Sequence, residues 1–192
     1  MLLDCTLRDG GYYNNWAFPK KLVKEYIKTI SKSGIDIVEL AFRFKNKNKY
    51  GEYGHLTEKK INKLKLPSNL KYALMINCKD YINKSNVDLS LIDKVFIDKK
   101  KSKISIIRIA TNYLDLDNAI LISRKLDKKK YRVFLNIMQI TTLKKKEIND
   151  ISSKISKEKS ISVLYIADSL GDLTTHKLIE IFKIFKKTKK PL

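Results

Sequence analysis

An α/β fold, laid out over residues 1–192 as an incomplete (β/α)8 TIM barrel of about six βα units, is predicted by three observations. Apolar strand-like runs recur at 2–7, 36–42 (DIVELAF), 71–77 (KYALMIN), 104–110 (ISIIRIA), 131–138 (YRVFLNIM) and 163–168 (VLYIAD). Their spacing of roughly 30 residues is the length of one βα unit. The runs are nearly continuous in apolar residues and alternate with amphipathic helical patterns, as in a parallel sheet covered on both faces. Polar residues gather at the C-terminal ends of the runs, the face where barrels keep their chemistry. Six such units are too many and too regular for a small flavodoxin-like sheet, and too few to close an eight-unit barrel.

The first strand rests on the alternation Leu3, Cys5, Leu7, and Gly10-Gly11 reads as the loop that stops it. Arg8 and Asp9 then stand at a strand end. The first helix runs from Pro19 to Ser33, with proline in its first turn and Gly34 as its stop. A strand at 36–42 carries Glu39 and leads to Arg43, and a shorter helix spans Thr57 to Leu64. The third strand ends on Asn77, and the helix inside 80–96 has no defined limits. Thr111 and Asn112 follow the fourth strand, Gln139 the fifth, and Asp168 with Ser169 the sixth. Helices over Leu114–Leu126, Lys144–Lys157 and Thr174–Lys187 complete the alternation.

The formal net charge of +21 invites a nucleic-acid reading, yet only five of the 41 basic residues are arginine. The lysines are spread with many Ile and Asn over the whole length, the pattern of an AT-rich genome, and their runs at 99–101, 128–130 and 144–146 fit solvated surface. Binding to polyanions is therefore expected to be nonspecific and lost with salt. No run of 18 apolar residues is present, and the first ten residues carry Asp4, Arg8 and Asp9 without a basic leader. A cytoplasmic protein without a membrane span is the expectation. Cys5 and Cys78 lie beside apolar runs and read as core thiols, with neither a disulfide nor a catalytic role. His55 and His176 read as surface or helix-face residues, and Tyr12, Tyr13 and Tyr53 as residues of mouth loops that wall the substrate or pack the loops.

The stretches DCTLRDGGYYNNW, DIVELAFR, SIIRIAT and VLYIADSLGDLT resemble the HMG-CoA lyase-like, pyruvate carboxyltransferase (DRE-TIM metallolyase) superfamily. Within it the chain is most similar to the catalytic domains of 4-hydroxy-2-oxovalerate aldolase-like proteins, and the likeness runs over essentially the whole chain. The resemblance implies a divalent-metal-dependent aldolase that cleaves or forms a carbon–carbon bond in a 4-hydroxy-2-oxo acid through a pyruvate enolate. Asp9 matches the family's metal-binding aspartate, a hard carboxylate suited to Mn²⁺ or Mg²⁺. Arg8 matches the arginine that stabilises the enolate oxygen, and Glu39 the glutamate that holds it; an Arg8–Glu39 pair of purely structural role is the plainer reading. Asp168 and Ser169 match a pair that hydrogen-bonds substrate or metal-bound water, a helix N-cap role for Ser169 or Asp172 being the alternative. Thr111 joins them as a polar group at a strand end.

One departure from the family is large. Its complete members carry a His-x-His pair on a seventh strand, supplying two more metal ligands, and this chain reaches KKTKKPL where that strand is expected. With one carboxylate, Mn²⁺ is expected to bind weakly and the isolated chain to be inactive, and either self-associated or loosely folded. A partner implied by this is a second polypeptide supplying strands seven and eight; a homo-oligomer is another. A Claisen-type acyltransferase of the isopropylmalate synthase kind and a non-catalytic basic nucleic-acid-binding protein are the competing functions. Five scattered arginines do not make a specific nucleic-acid surface.

Overall fold

The computed structural model describes residues 1–46 and 48–192. Six strands alternate with helices in an α/β arrangement: β1 (Leu3–Asp4), β2 (Ile37–Phe42), β3 (Lys71–Asn77), β6 (Ile106–Thr111), β7 (Arg132–Ile137) and β8 (Ile161–Ile166). They are hydrogen-bonded in the order β1-β2-β3-β6-β7-β8, and a two-stranded ribbon pairs β4 (Ile82–Asn83) with β5 (Asn86–Val87). The helices are α1 (Thr6–Asn14), α2 (Lys20–Ile30), α3 (Glu58–Lys63), α4 (Leu89–Val95), α5 (Leu116–Lys128), α6 (Lys145–Lys157) and α7 (Thr175–Phe185). No described helix is long and apolar enough to cross a membrane.

The chain divides into two compact units, Met1–Ile76 with Ile97–Ile107 and Asn77–Phe96 with Arg108–Leu192, so that β6 contributes residues to both. In the first unit, β2 is buried along its entire length and pairs parallel with β1 and β3. Its partners step from Glu39↔Ala73 to Ala41↔Leu74, which makes Leu40 the extra residue of a bulge immediately after Glu39. Bulges of this kind re-aim side chains beside functional sites. Helix α2 starts behind Pro19, whose missing N–H costs nothing at a helix entry, and its chain reverses at Gly34 with φ +79°. The second unit buries Ile148, Ile151 and Ile155 along one face of α6, and Ala119, Ile122 and Leu126 along one face of α5. Beneath them, Val133, Phe134, Leu135 and Leu164 form the interior of the β7–β8 pair.

The expected first strand is corrected. Only Leu3 and Asp4 pair as strand, and Thr6–Asn14 is helix, so Gly10 and Gly11 lie inside a helix where a loop was expected. The alternation Leu3, Cys5, Leu7 loses to local capping. The Asp4 carboxylate accepts from the Thr6 N–H and hydroxyl, both at 3.0 Å, which satisfies a free donor of the first turn. The Tyr26 hydroxyl donates to the same carboxylate. Tyr12 and Tyr13 are thereby residues of a helix, and Tyr53 lies in a buried turn at Glu52–Gly54. His55 is corrected too: it is 7% exposed, and its Nδ1 meets the Phe44 carbonyl, whereas His176 is exposed as expected.

Candidate active site

Arg8 and Asp9 occupy the first turn of α1, where Asp9 N–H bonds the Cys5 carbonyl at 2.8 Å. Neighbouring helical residues point about 100° apart, and the two side chains part accordingly. Arg8 turns inward and is 13% exposed, while Asp9 stays 65% exposed. The Arg8 Nε donates to Glu39 Oε2 at 2.8 Å, and Nη1 donates to Asp9 Oδ1 at 2.7 Å. Nη2 makes no hydrogen bond among the described residues, so one edge of the guanidinium remains for an incoming anionic oxygen. Burial pulls the Arg8 pKa down, but the charge and hydrogen bond of Glu39 outweigh it and leave the pKa above its ordinary value. The cation is therefore permanent.

Aromatic rings fix this arginine from the sides. Trp16 donates its indole N–H to the Arg8 carbonyl at 2.8 Å, and the Arg8 guanidinium lies 5.7 Å from the Phe42 ring centroid. Tyr12, one helical turn after Arg8, stands edge-on to Trp16 at 4.8 Å and to Phe42 at 6.1 Å. Gly11 makes this packing feasible, since a Cβ there would sit 2.0 Å from Trp16 Cδ1. The sequence holds no signal for the role of Trp16 beyond its place shortly after the two glycines.

The remaining predicted residues lie in the second unit. Thr111 is 2% exposed; its hydroxyl donates to the Asn112 carbonyl at 3.1 Å, and its carbonyl accepts from Met138 N–H at 2.9 Å. The adjoining Gln139, at φ 54°, donates its N–H to the Ser169 hydroxyl at 3.1 Å. Asp168 accepts from the N–H groups of Gly171, Asp172 and Leu173. Asp168 thus organises the loop after β8. The N-cap of α7 is Thr174, so the N-cap role open to Ser169 or Asp172 falls away. Arg8, Asp9 and Glu39 are brought together in one unit, and Thr111 and Ser169 are tied through the 138–139 segment of the other.

Among the described residues no three or more His, Cys, Asp or Glu side chains are grouped to hold a metal ion. Asp9 offers one carboxylate, already shared with Arg8. Mg²⁺ and Mn²⁺ favour about six hard oxygen ligands, so these residues do not by themselves make a divalent-metal site.

No family model matches the chain, and no curated protein matches it. One solved structure, described as "the N-terminal domain of a putative aldolase" from Bacteroides vulgatus, is similar over 100% of this chain and 61% of its own, with a TM-score of 0.77 and 29% identity. The chain has an aldolase-like fold. It spans about three-fifths of the length of the solved structure it matches.

Proposed function

We propose that this chain carries the enolate-stabilising part of a carbon–carbon lyase acting on a 2-oxo acid, of the 4-hydroxy-2-oxovalerate aldolase kind within the DRE-TIM metallolyases and on a TIM-barrel scaffold. The observation that carries the reading is the Arg8–Glu39 pair: a guanidinium held at 2.8 Å by a fully buried carboxylate, with Nη2 left for a ligand. Similarity to the aldolase domain supports it.

In a retro-aldol step on a 4-hydroxy-2-oxo acid, a base takes the C4 hydroxyl proton as C4 becomes an aldehyde carbonyl. The C3–C4 bond breaks to form the C2–C3 double bond, and the π electrons of the C2 carbonyl move onto its oxygen. Charge grows on that oxygen as the pyruvate enolate forms. A preorganised donor aimed at it stabilises the transition state without reorganising at the moment of reaction. Nη2 of Arg8 is such a donor; Glu39 and Asp9 keep the guanidinium from swinging away, and the Trp16 indole holds the backbone of the same residue. The rings of Tyr12 and Phe42 bound the same space. Asp9 would supply one ligand to Mn²⁺ or Mg²⁺. Further ligands, the His-x-His pair that the resemblance implies, would have to come from outside these residues. Thr111, Asp168 and Ser169 remain proposed substrate-side groups.

Oxalate, a planar mimic of the pyruvate enolate, tests the reading by calorimetry on the chain as it stands. Arg8→Ala is expected to abolish its binding, and Arg8→Lys, which keeps the charge but loses the fork, to weaken it about tenfold. Equal oxalate affinity in wild type and Arg8→Ala would refute the assignment.

A further inference from the structure

The first unit holds a second feature that the lyase reading does not use. A cavity of about 490 Å³ opens between α2, the Glu52–Gly54 turn and α3. Lys20, Lys24 and Ile27 reach it from one face of α2, the i, i+4, i+7 spacing of a helical stripe. Lys60, Lys63, Leu64 and Lys65 approach from α3 and its exit, and Glu52 and Tyr53 from the turn between.

Lysines cover the whole surface, and what marks this cavity is that five of them surround one concavity together with a tyrosine hydroxyl. A few lysines elsewhere have partners: Lys125 and Lys129 pair with Asp93, Lys154 with Asp117 and Asp150, and Lys103 donates to the carbonyls of Asn62 and Leu64. Around the cavity, Lys60 alone among the described residues has a carboxylate partner, Glu52 at 3.8 Å. Lys20, Lys24, Lys63 and Lys65 make no ion pair among the described residues. Four like charges converging on one concavity repel one another, and an anion relieves that repulsion. The entry of α2 adds to it, because no side chain caps its first N–H groups and no acidic residue lies in its first turn. At the wall, Tyr53 is 2% exposed and its hydroxyl makes no hydrogen bond among the described residues. A hydroxyl at the cavity wall without a protein partner is left to meet water or a ligand.

We infer that this cavity is a binding site for a small molecule bearing a diphosphate or triphosphate group. Four uncompensated ammonium groups match the three to four negative charges of such a group better than a monoanion, and lysine recognises phosphate as a point charge from several directions. The volume lies within the range of small-ligand sites, and Ile27 and Leu64 give an apolar patch for the body of the molecule. A single nucleic-acid strand fits less well: it needs exposed rings for its bases to stack on, and the aromatic ring here is buried.

Calorimetry with ATP and with inorganic pyrophosphate, at physiological salt, tests the site on the full chain. Saturable binding with one equivalent of either probe is expected. The double variant Lys24→Gln/Lys63→Gln should weaken it about tenfold or more, and Tyr53→Phe by a few-fold. The control Lys128→Gln/Lys130→Gln, which removes the same charge from a lysine run in the other unit, should leave affinity within about twofold. Equal weakening by both double variants would show that net charge alone attracts the probes and overturn the proposal, as would absent or unsaturable binding. Tighter binding of a DNA oligonucleotide through Lys24 and Lys63 would overturn it in favour of nucleic acid.

Discussion

Replacing Glu39 by glutamine keeps the shape of the side chain and removes its charge. The arginine it serves is 13% exposed and retains only Asp9, itself 65% exposed. Two unit charges about 4 Å apart interact by about 4 kcal/mol at the effective dielectric of a partly buried site, and the desolvation of Glu39 offsets a good part of that. Glutamine still presents an oxygen to Nε, so the hydrogen bond persists without charge assistance. The net loss expected is about 2 kcal/mol, within the range for hydrogen bonds to charged groups. For a urea slope of about 2 kcal/mol per molar, the midpoint of unfolding falls by about 1 M. Asp9→Asn, which touches an exposed pair, should cost about 0–1 kcal/mol. Urea titration followed by far-UV circular dichroism compares the two. A Glu39→Gln loss no larger than that of Asp9→Asn, at unchanged slope, would refute the idea that Glu39 is the anchor of the arginine.

Burial pushes the Cys78 thiol up to about 12 and the Tyr53 and Tyr72 hydroxyls up to about 12 from ordinary values of 9.0, 10.0 and 10.0. The fold therefore favours their neutral forms, and the unfolded chain ionises first. Stability is whole below about pH 9 and falls as pH rises toward about 12, which urea midpoints measured through that window will show. For the same reason iodoacetamide should modify Cys5 in the folded chain and reach Cys78 only after denaturation. Gly11→Ala drives a methyl group to 2.0 Å from Trp16 Cδ1 and should destabilise by about 3 kcal/mol, with a changed tryptophan emission spectrum. Titration with Mn²⁺ should show weak binding that Asp9→Asn lowers further; tight binding indifferent to that change would remove Asp9 from the metal shell.

The strands and outer helices were legible because their apolar patterns are long. Six consecutive buried positions at 37–42, and the stripes of α5 and α6, leave little room for another reading. Arg8, Asp9 and Glu39 were legible as a set through the motif, and Arg8 does meet both carboxylates. The helix that carries the first two was not. Two consecutive glycines disfavour helix by about 1 kcal/mol each, and only side-chain partners outside the helix, Glu39 far along the chain and Trp16 just beyond its end, override that preference. His55 misled for a related reason: its burial depends on the isolated bridge to Arg43 and on the Phe44 carbonyl, neither visible in local pattern. The bulge at Leu40 leaves no trace in the alternation either, since every residue of β2 is buried.

The shortness of α1 has a dynamic consequence. Nine residues with two glycines do not hold a helix in water, where about 12–15 are needed even for good helix formers. Its closed state therefore depends on three fastenings: Asp4 at the entry, Glu39 on the Arg8 side chain, and Trp16 on the Arg8 carbonyl. Local opening of this one segment removes the guanidinium from its post while the β2–β3 pair stays intact. With an opening free energy of about 2 kcal/mol, about 3% of molecules lack the site at any instant. An anion at Nη2 adds a fourth fastening, so occupancy is written in the amide exchange rates of residues 6–14 before any product is formed.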